Sequence, residues 1–153
     1  MATGSIRLAT LWCLVASSLF DQFADAAMEE LTRHGFLRES EDRNGPMGSG
    51  EIRYFGHRLD VVLHSDRGLP AVTIGSHGGH TFTYQPWAEL LGVEVDKDLD
   101  VRRQLGFLLE QACRIKDLIE GDPEINERLR ELNWRVVKKN LGLDPNMPRP
   151  GAR

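Results

Sequence analysis

Apolar residues recur at helical spacing near both ends of the chain and alternate with polar ones in the middle. Phe20, Phe23, Ala27 and Leu31 stand at i, i+3, i+7 and i+11, with Met28 widening the stripe. That spacing predicts one long helix from about Arg7 to Arg33. Gly35 then takes the left-handed conformation that commonly ends a helix, and Phe36 and Leu37 pack back beside it. Towards the C-terminus Val101, Leu105, Leu108, Ala112, Ile115 and Ile119 follow a 4-3-4-3-4 spacing, a second helical seam. Asp98 or Asp100 caps its start and Gly121 ends it. Asp122-Pro123-Glu124 opens another helix with Ile125, Leu129, Leu132 and Val136 on one side. Trp134, Val137 and Leu141 broaden that side before Gly142 closes it. So short a connection predicts an antiparallel αα-hairpin.

The middle of the chain reads as strands. Ile52-Arg53-Tyr54-Phe55 is short and β-prone, and from Arg58 to His64 the pattern has period two. Leu59, Val61 and Leu63 point one way, Asp60, Val62 and His64 the other. Ser65-Asp66-Arg67-Gly68 is a tight turn into the return strand Ala71–Ile74. A small loop, Gly75 to Gly79, leads to a fourth strand over His80–Tyr84. Pro86, Trp87, Leu90 and Leu91 then make a short helix stopped by Gly92.

The expected class is therefore α+β. A long N-terminal helix precedes a three- to four-stranded antiparallel meander, a short helix and the C-terminal antiparallel αα-hairpin. One domain covers 1–143. Within it Glu39–Gly50, with three Gly and one Pro, reads as a mobile loop, and 144–153, with three Pro, as a disordered tail.

Composition narrows the function classes. With 153 residues the chain is too short for a complete TIM barrel, which takes roughly 200. At 41% hydrophobic residues it is too apolar for a disordered protein. Lys plus Arg is 19 and Asp plus Glu 23, a net charge of −4, which argues against a nucleic-acid binder. Cys13 and Cys113 lie in apolar stretches and read as two buried reduced thiols rather than a disulfide framework. The apolar run Leu8–Ala16 is shorter than the about 20 residues of a membrane span. With Arg7 before it and Ala24-Asp25-Ala26 after it, the run also fits a secretory signal peptide ending near Ala26. Cleavage there would discard most of the helix's apolar face, so an uncleaved helix in a cytoplasmic protein is preferred. Leu11 and Trp12, if exposed on it, are natural anchors for a partner.

Histidine supplies the most chemical pattern. His57, His64, His77 and His80 fall within 24 residues on the hairpins. His77-Gly-Gly-His80 gives an H-x-x-H spacing that His64 or Asp66 would complete as a zinc site, since imidazoles on neighbouring strands can converge on one ion. The competing reading is a plain polar turn. Ser76 beside His77 is no nucleophile–base pair, because adjacent residues on an extended chain point apart and Ile74 breaks G-x-S-x-G. The glycine-rich stretch Asn44–Gly50 lacks G-K-[ST] and precedes a strand, so it is no phosphate loop. Glu94, Asp96, Asp98 and Asp100 alternate, but an EF-hand begun at Asp96 would need Gly at 101 and Glu at 107, where Val and Phe stand. They read instead as helix capping and a local concentration of negative charge, a surface for a basic partner.

Asp66-Arg67-Gly68, the strand ending at Gly75, Phe82-x-Tyr84 and Trp87-Ala88-Glu89-Leu90-Leu91 resemble small actinobacterial proteins of unassigned role. Some of these are similar to immunity proteins, which neutralise a toxin by binding it. The resemblance covers the middle third of the chain, departs at Leu69-Pro70, and implies a binding protein without assigning functional residues.

The leading expectation is thus a non-enzymatic interaction domain, immunity-like, for a basic protein partner, with no nucleic acid and no membrane span. One alternative is a metal-dependent enzyme or metal-binding domain on His64, His77 and His80. Another is a small-ligand-binding domain with a pocket between sheet and helices. The C-terminal seams can bury against the sheet or in a homodimer.

Overall fold

The computed structural model describes residues 8–43 and 49–151, with side chains from Leu19 onward except that of Asp66. The side chains of Leu11, Trp12 and Cys13, and residues 44–48 of the glycine-rich stretch, therefore lie outside what is described. The fold is α+β: helix α1 (Leu8–Arg33), strands β1 (Leu37–Asp42), β2 (Gly50–Gly56), β3 (Leu59–Asp66), β4 (Leu69–Ser76) and β5 (Thr81–Phe82), then helices α2 (Tyr84–Leu91), α3 (Val101–Glu110), α4 (Ala112–Gly121) and α5 (Ile125–Leu141). The five strands form one antiparallel sheet in sequence order.

The first helix buries the predicted stripe. Phe20, Phe23, Ala24, Ala27 and Leu31 are all in the core, whereas Met28 is exposed rather than part of it. The helix runs unbroken through Ala24-Asp25-Ala26. Gly35 ends it at φ +84, with the Phe36 N–H donating to the Leu31 carbonyl.

The sheet has one strand more than the pattern predicts. Residues 39–42, expected within the mobile loop, belong to β1. All six β1 side chains are exposed, so the strand shows no apolar alternation to read. Its ladder with β2 slips between Arg38 and Ser40, a β-bulge at Glu39. Both following hairpins use two-residue turns with positive φ, at His57-Arg58 and at Arg67-Gly68. Such turns match the twist of paired strands, and non-glycine residues are uncommon in them. The predicted fourth strand shrinks to Thr81–Phe82, because Tyr84 already opens α2.

Ile52, Tyr54, Leu59, Val61, Leu63, Val72, Ile74 and Phe82 line the inner sheet face and pack with α1, α2, α3 and α4 in a single core. Trp87 is fully buried, and its indole N–H donates to the Ile74 carbonyl at 2.9 Å. The Asp100 side chain accepts the Arg103 N–H and caps α3. The long predicted seam is interrupted for one residue at Gln111, although its N–H still reaches Phe107 and its carbonyl still accepts from Ile115. Helix α5 buries Ile125 and Leu129 and lies chiefly against α2. Its second half is only half-buried: Leu141 is exposed, and Trp134 donates to the Met147 carbonyl instead of entering the core. The tail expected to be disordered thus lies back along α5, where Lys138 donates to Pro145 and Arg149 pairs with Glu127 and Glu131. Cys113, expected to be buried, is exposed on α4.

Two glycines separate crowding from open space. A Cβ on Gly75 would lie 2.1 Å from the His80 carbonyl oxygen, whereas one on Gly106 would meet nothing within 4 Å. Gly75→Ala should cost about 1–3 kcal/mol through backbone overpacking, and Gly106→Ala should add about 0.5–1 kcal/mol through helix propensity. Urea midpoints at unchanged m-values check both.

Candidate functional site

Alternation along the strands sends Arg53 and Phe55 of β2, Asp60, Val62 and His64 of β3, and Thr73 of β4 to the sheet face away from the core cluster. Asp60 is the unusual member, a carboxylate only 1% exposed. It accepts from His77 Nδ1 at 2.8 Å, the Gly78 N–H at 2.9 Å and Arg53 Nη1 at 3.0 Å. Burial alone would raise this carboxyl, but the hydrogen bonds from His77, Gly78 and Arg53 outweigh it and hold the group below the ordinary carboxylate range. An ionised Asp60 makes His77 Nδ1 the donor, which leaves Nε2 uncommitted to this pair. The same bond raises the His77 imidazole above its ordinary value, with desolvation opposing it and the Asp60 charge assisting. The ring is also held against Phe55, with centroids 4.2 Å apart.

Polar contacts continue across the face. Arg53 reaches Glu51 at 3.3 Å, and Glu51 stands 3.9 Å from His64 Nδ1. The Thr73 hydroxyl donates to Thr81 at 2.7 Å, so it accepts from His64 Nε2 at 3.1 Å. Burial pushes the His64 imidazole down, with Glu51 opposing and Arg53 assisting. At the sheet edge the Glu39 bulge turns one more carboxylate onto this face. Ligand atoms of Glu39, Asp60 and His77 all lie within 4.8 Å of one another.

The histidines do not gather as their spacing suggests. His57, in its turn, bonds the His34 carbonyl at 2.8 Å and stacks edge-on against Phe36. His64 goes to Thr73, His77 to Asp60, and His80 is exposed. Among the described residues, the set that converges is Glu39, Asp60 and His77, not His64, His77 and His80. Ser76, the last residue of β4, pairs with Leu59, while His77 begins the following turn and bonds Asp60.

No family model, curated protein or solved structure matches this chain. No helix among the described residues is long and apolar enough to cross a membrane.

A second candidate lies in the helical layer. A groove of about 1050 Å³ runs between α2, the 92–99 segment and α5. Ala88, Val93, Val95, Leu99 and Val136 supply its apolar lining, and Glu89, Glu94 and Asp96 its acids. Lys97, Arg135 and Lys139 line it too, with the Lys139 ammonium lowering the Lys97 pKa. The four alternating acids thus divide. Glu94 and Asp96 border the groove, Asp98 raises Lys97 from outside the lining, and Asp100 is occupied as a cap.

Hydropathy and motif spacing do not single out Asp60, Arg53 and Glu39. Asp60 did leave a signal, a single acid inside the otherwise apolar run Leu59–Leu63. Glu39 left none, because a bulge in an exposed charged strand has no pattern of its own.

Asp60→Asn should destabilise the chain by about 2–4 kcal/mol, since it removes the buried charge that Arg53, His77 and the Gly78 N–H all donate to and leaves Arg53 only the exposed Glu51. It should also move the His77 titration down in proton NMR; an unmoved titration would show that Asp60 does not set it. His64 makes stability depend on pH. Its depressed pKa means the unfolded chain takes up a proton first, as pH falls through about 6.5. Its contribution is therefore full above that value and declines on acidification until His64 protonates in the fold. Denaturation from pH 8 to 5 should show this decline reduced in His64→Gln.

Proposed function

We propose that this chain is a non-enzymatic protein-interaction domain that receives a basic, amphipathic segment of another protein in the groove between α2, the 92–99 segment and α5. The observation that carries this reading is the groove's make-up: an apolar lining bordered by Glu89, Glu94 and Asp96. An apolar strip on the incoming segment would displace water from Val93, Val95, Leu99 and Val136, which supplies affinity. Lysine or arginine beside that strip would meet the three acids, which sets orientation and speeds encounter. The three cations of the groove, Lys97, Arg135 and Lys139, equal its acids in number, so the bias toward a basic segment comes from the charge of the whole chain. The net charge of −4 adds long-range attraction of the same sign. The resemblance of 66–91 to small actinobacterial proteins of unassigned role, some of them similar to immunity proteins, is compatible with a chain that acts by binding.

A short model helix of leucine and lysine, titrated into isotope-labelled protein, tests the idea, with a leucine–glutamate helix as control. The basic helix should shift backbone signals of Val93, Val95, Leu99 and Val136, and the acidic one should not. Charge reversal at Glu94 and Asp96 together should weaken binding by about tenfold or more, as two lost charge contacts near a surface would. Shifts confined to another face, equal response to both helices, or self-association through these residues would overturn the reading.

A further inference from the structure

The geometry points to a divalent metal site, best suited to zinc, formed by Glu39, Asp60 and His77 on the open face of the sheet. The three residues come from three separate places: the β1 bulge, the start of β3 and the loop after β4. Their ligand atoms nevertheless lie within 4.8 Å of one another. A tetrahedral zinc about 2.1 Å from each ligand wants them about 3.4 Å apart. His77 Nδ1 and Asp60 Oδ1, now at 2.8 Å, would open slightly, and the exposed Glu39 would close in. The ion takes the place of the proton between Nδ1 and Oδ1. For a neutral imidazole that proton moves to Nε2; for an imidazolium it is released to solvent.

Two features go beyond what an ion pair requires. Arg53 and the Gly78 N–H both hold Oδ2 of Asp60, so Oδ1 is the oxygen presented to His77. Outer donors that orient a carboxylate in this way are the usual support of a metal ligand. The bulge is the second. Without the extra residue, β1 would alternate regularly and Glu39 would not stand beside Ser40 opposite Arg53. Two oxygens and one imidazole nitrogen leave a fourth position for water, the arrangement of an open zinc site.

Zinc titration of the untagged full-length chain by calorimetry tests the site, alongside histidine NMR. One zinc per chain is expected, with the His77 ring signals moving and those of His57 and His80 unchanged. Since Asp60 variants risk unfolding, the exposed ligands carry the test: Glu39→Gln and His77→Gln should each weaken zinc binding at least tenfold, the loss that even outer-shell partners cause. His64→Gln and His80→Gln should bind as the parent does. No zinc uptake, uptake unaffected by Glu39→Gln and His77→Gln, or uptake lost only with His64 and His80 would overturn the assignment.

Discussion

The outer half of this fold depends on one buried carboxylate. An aspartate taken out of water within a sheet is unfavourable unless donors replace its hydration. Asp60 obtains three, and all come from outside β3: Arg53 from β2, and His77 and the Gly78 N–H from the loop after β4. Satisfying that single charge therefore fixes the loop over the sheet and orients the Arg53 guanidinium, which in turn reaches Glu51. The same requirement explains why an exposed histidine is held in one position, since its Nδ1–H is part of what keeps Asp60 ionised.

The helices add the complementary constraint. They bury the inner face of the sheet with aliphatic and aromatic side chains, and the outer face is left to arrange its own polar groups. It does so as a nearly continuous chain from Thr81 through Thr73, His64, Glu51, Arg53 and Asp60 to His77. The exposed edge at β1 is charged along LRESED and broken by its bulge, two devices that discourage pairing with another strand. A feature that protects the edge thus also delivers Glu39 to the face.

What the sequence made legible follows from periodicity. Helices α1 and α3 to α5 were readable because their buried faces repeat at helical spacing, and β3 and β4 because they alternate. Strand β1 was not, since a wholly exposed edge strand carries no apolar signal. The second half of α5 looked like core, yet Trp134 and Leu141 lie beyond the reach of the sheet, and the proline-rich tail covers part of that side instead. The histidine cluster was visible in the sequence, but its meaning was not. Proximity along two hairpins does not fix ring direction: a tight turn places the exposed His57 ring against the His34 carbonyl, while Asp60 holds His77. By sequence Glu94 and Asp96 are surface acids; only the packing of α5 beside α2 places a groove next to them.

The two candidate sites meet in a few residues at the end of β4. The Ile74 carbonyl holds Trp87 and with it α2, one wall of the groove. Gly75 leaves room for the backbone at His80 and Thr81 to fold across the strand. Two residues later His77 reaches Asp60, helped by its own N–H donating to the Arg58 carbonyl. A side chain introduced at Gly75 would displace the loop from one side and strain the Trp87 anchor from the other, so it cannot separate the two candidate sites. Glu94 and Asp96 border only the groove, and Glu39 belongs only to the sheet face. Changes at these exposed acids leave the shared strand intact, which is why they, and not the glycine between the sites, can assign a loss of binding to one site or the other.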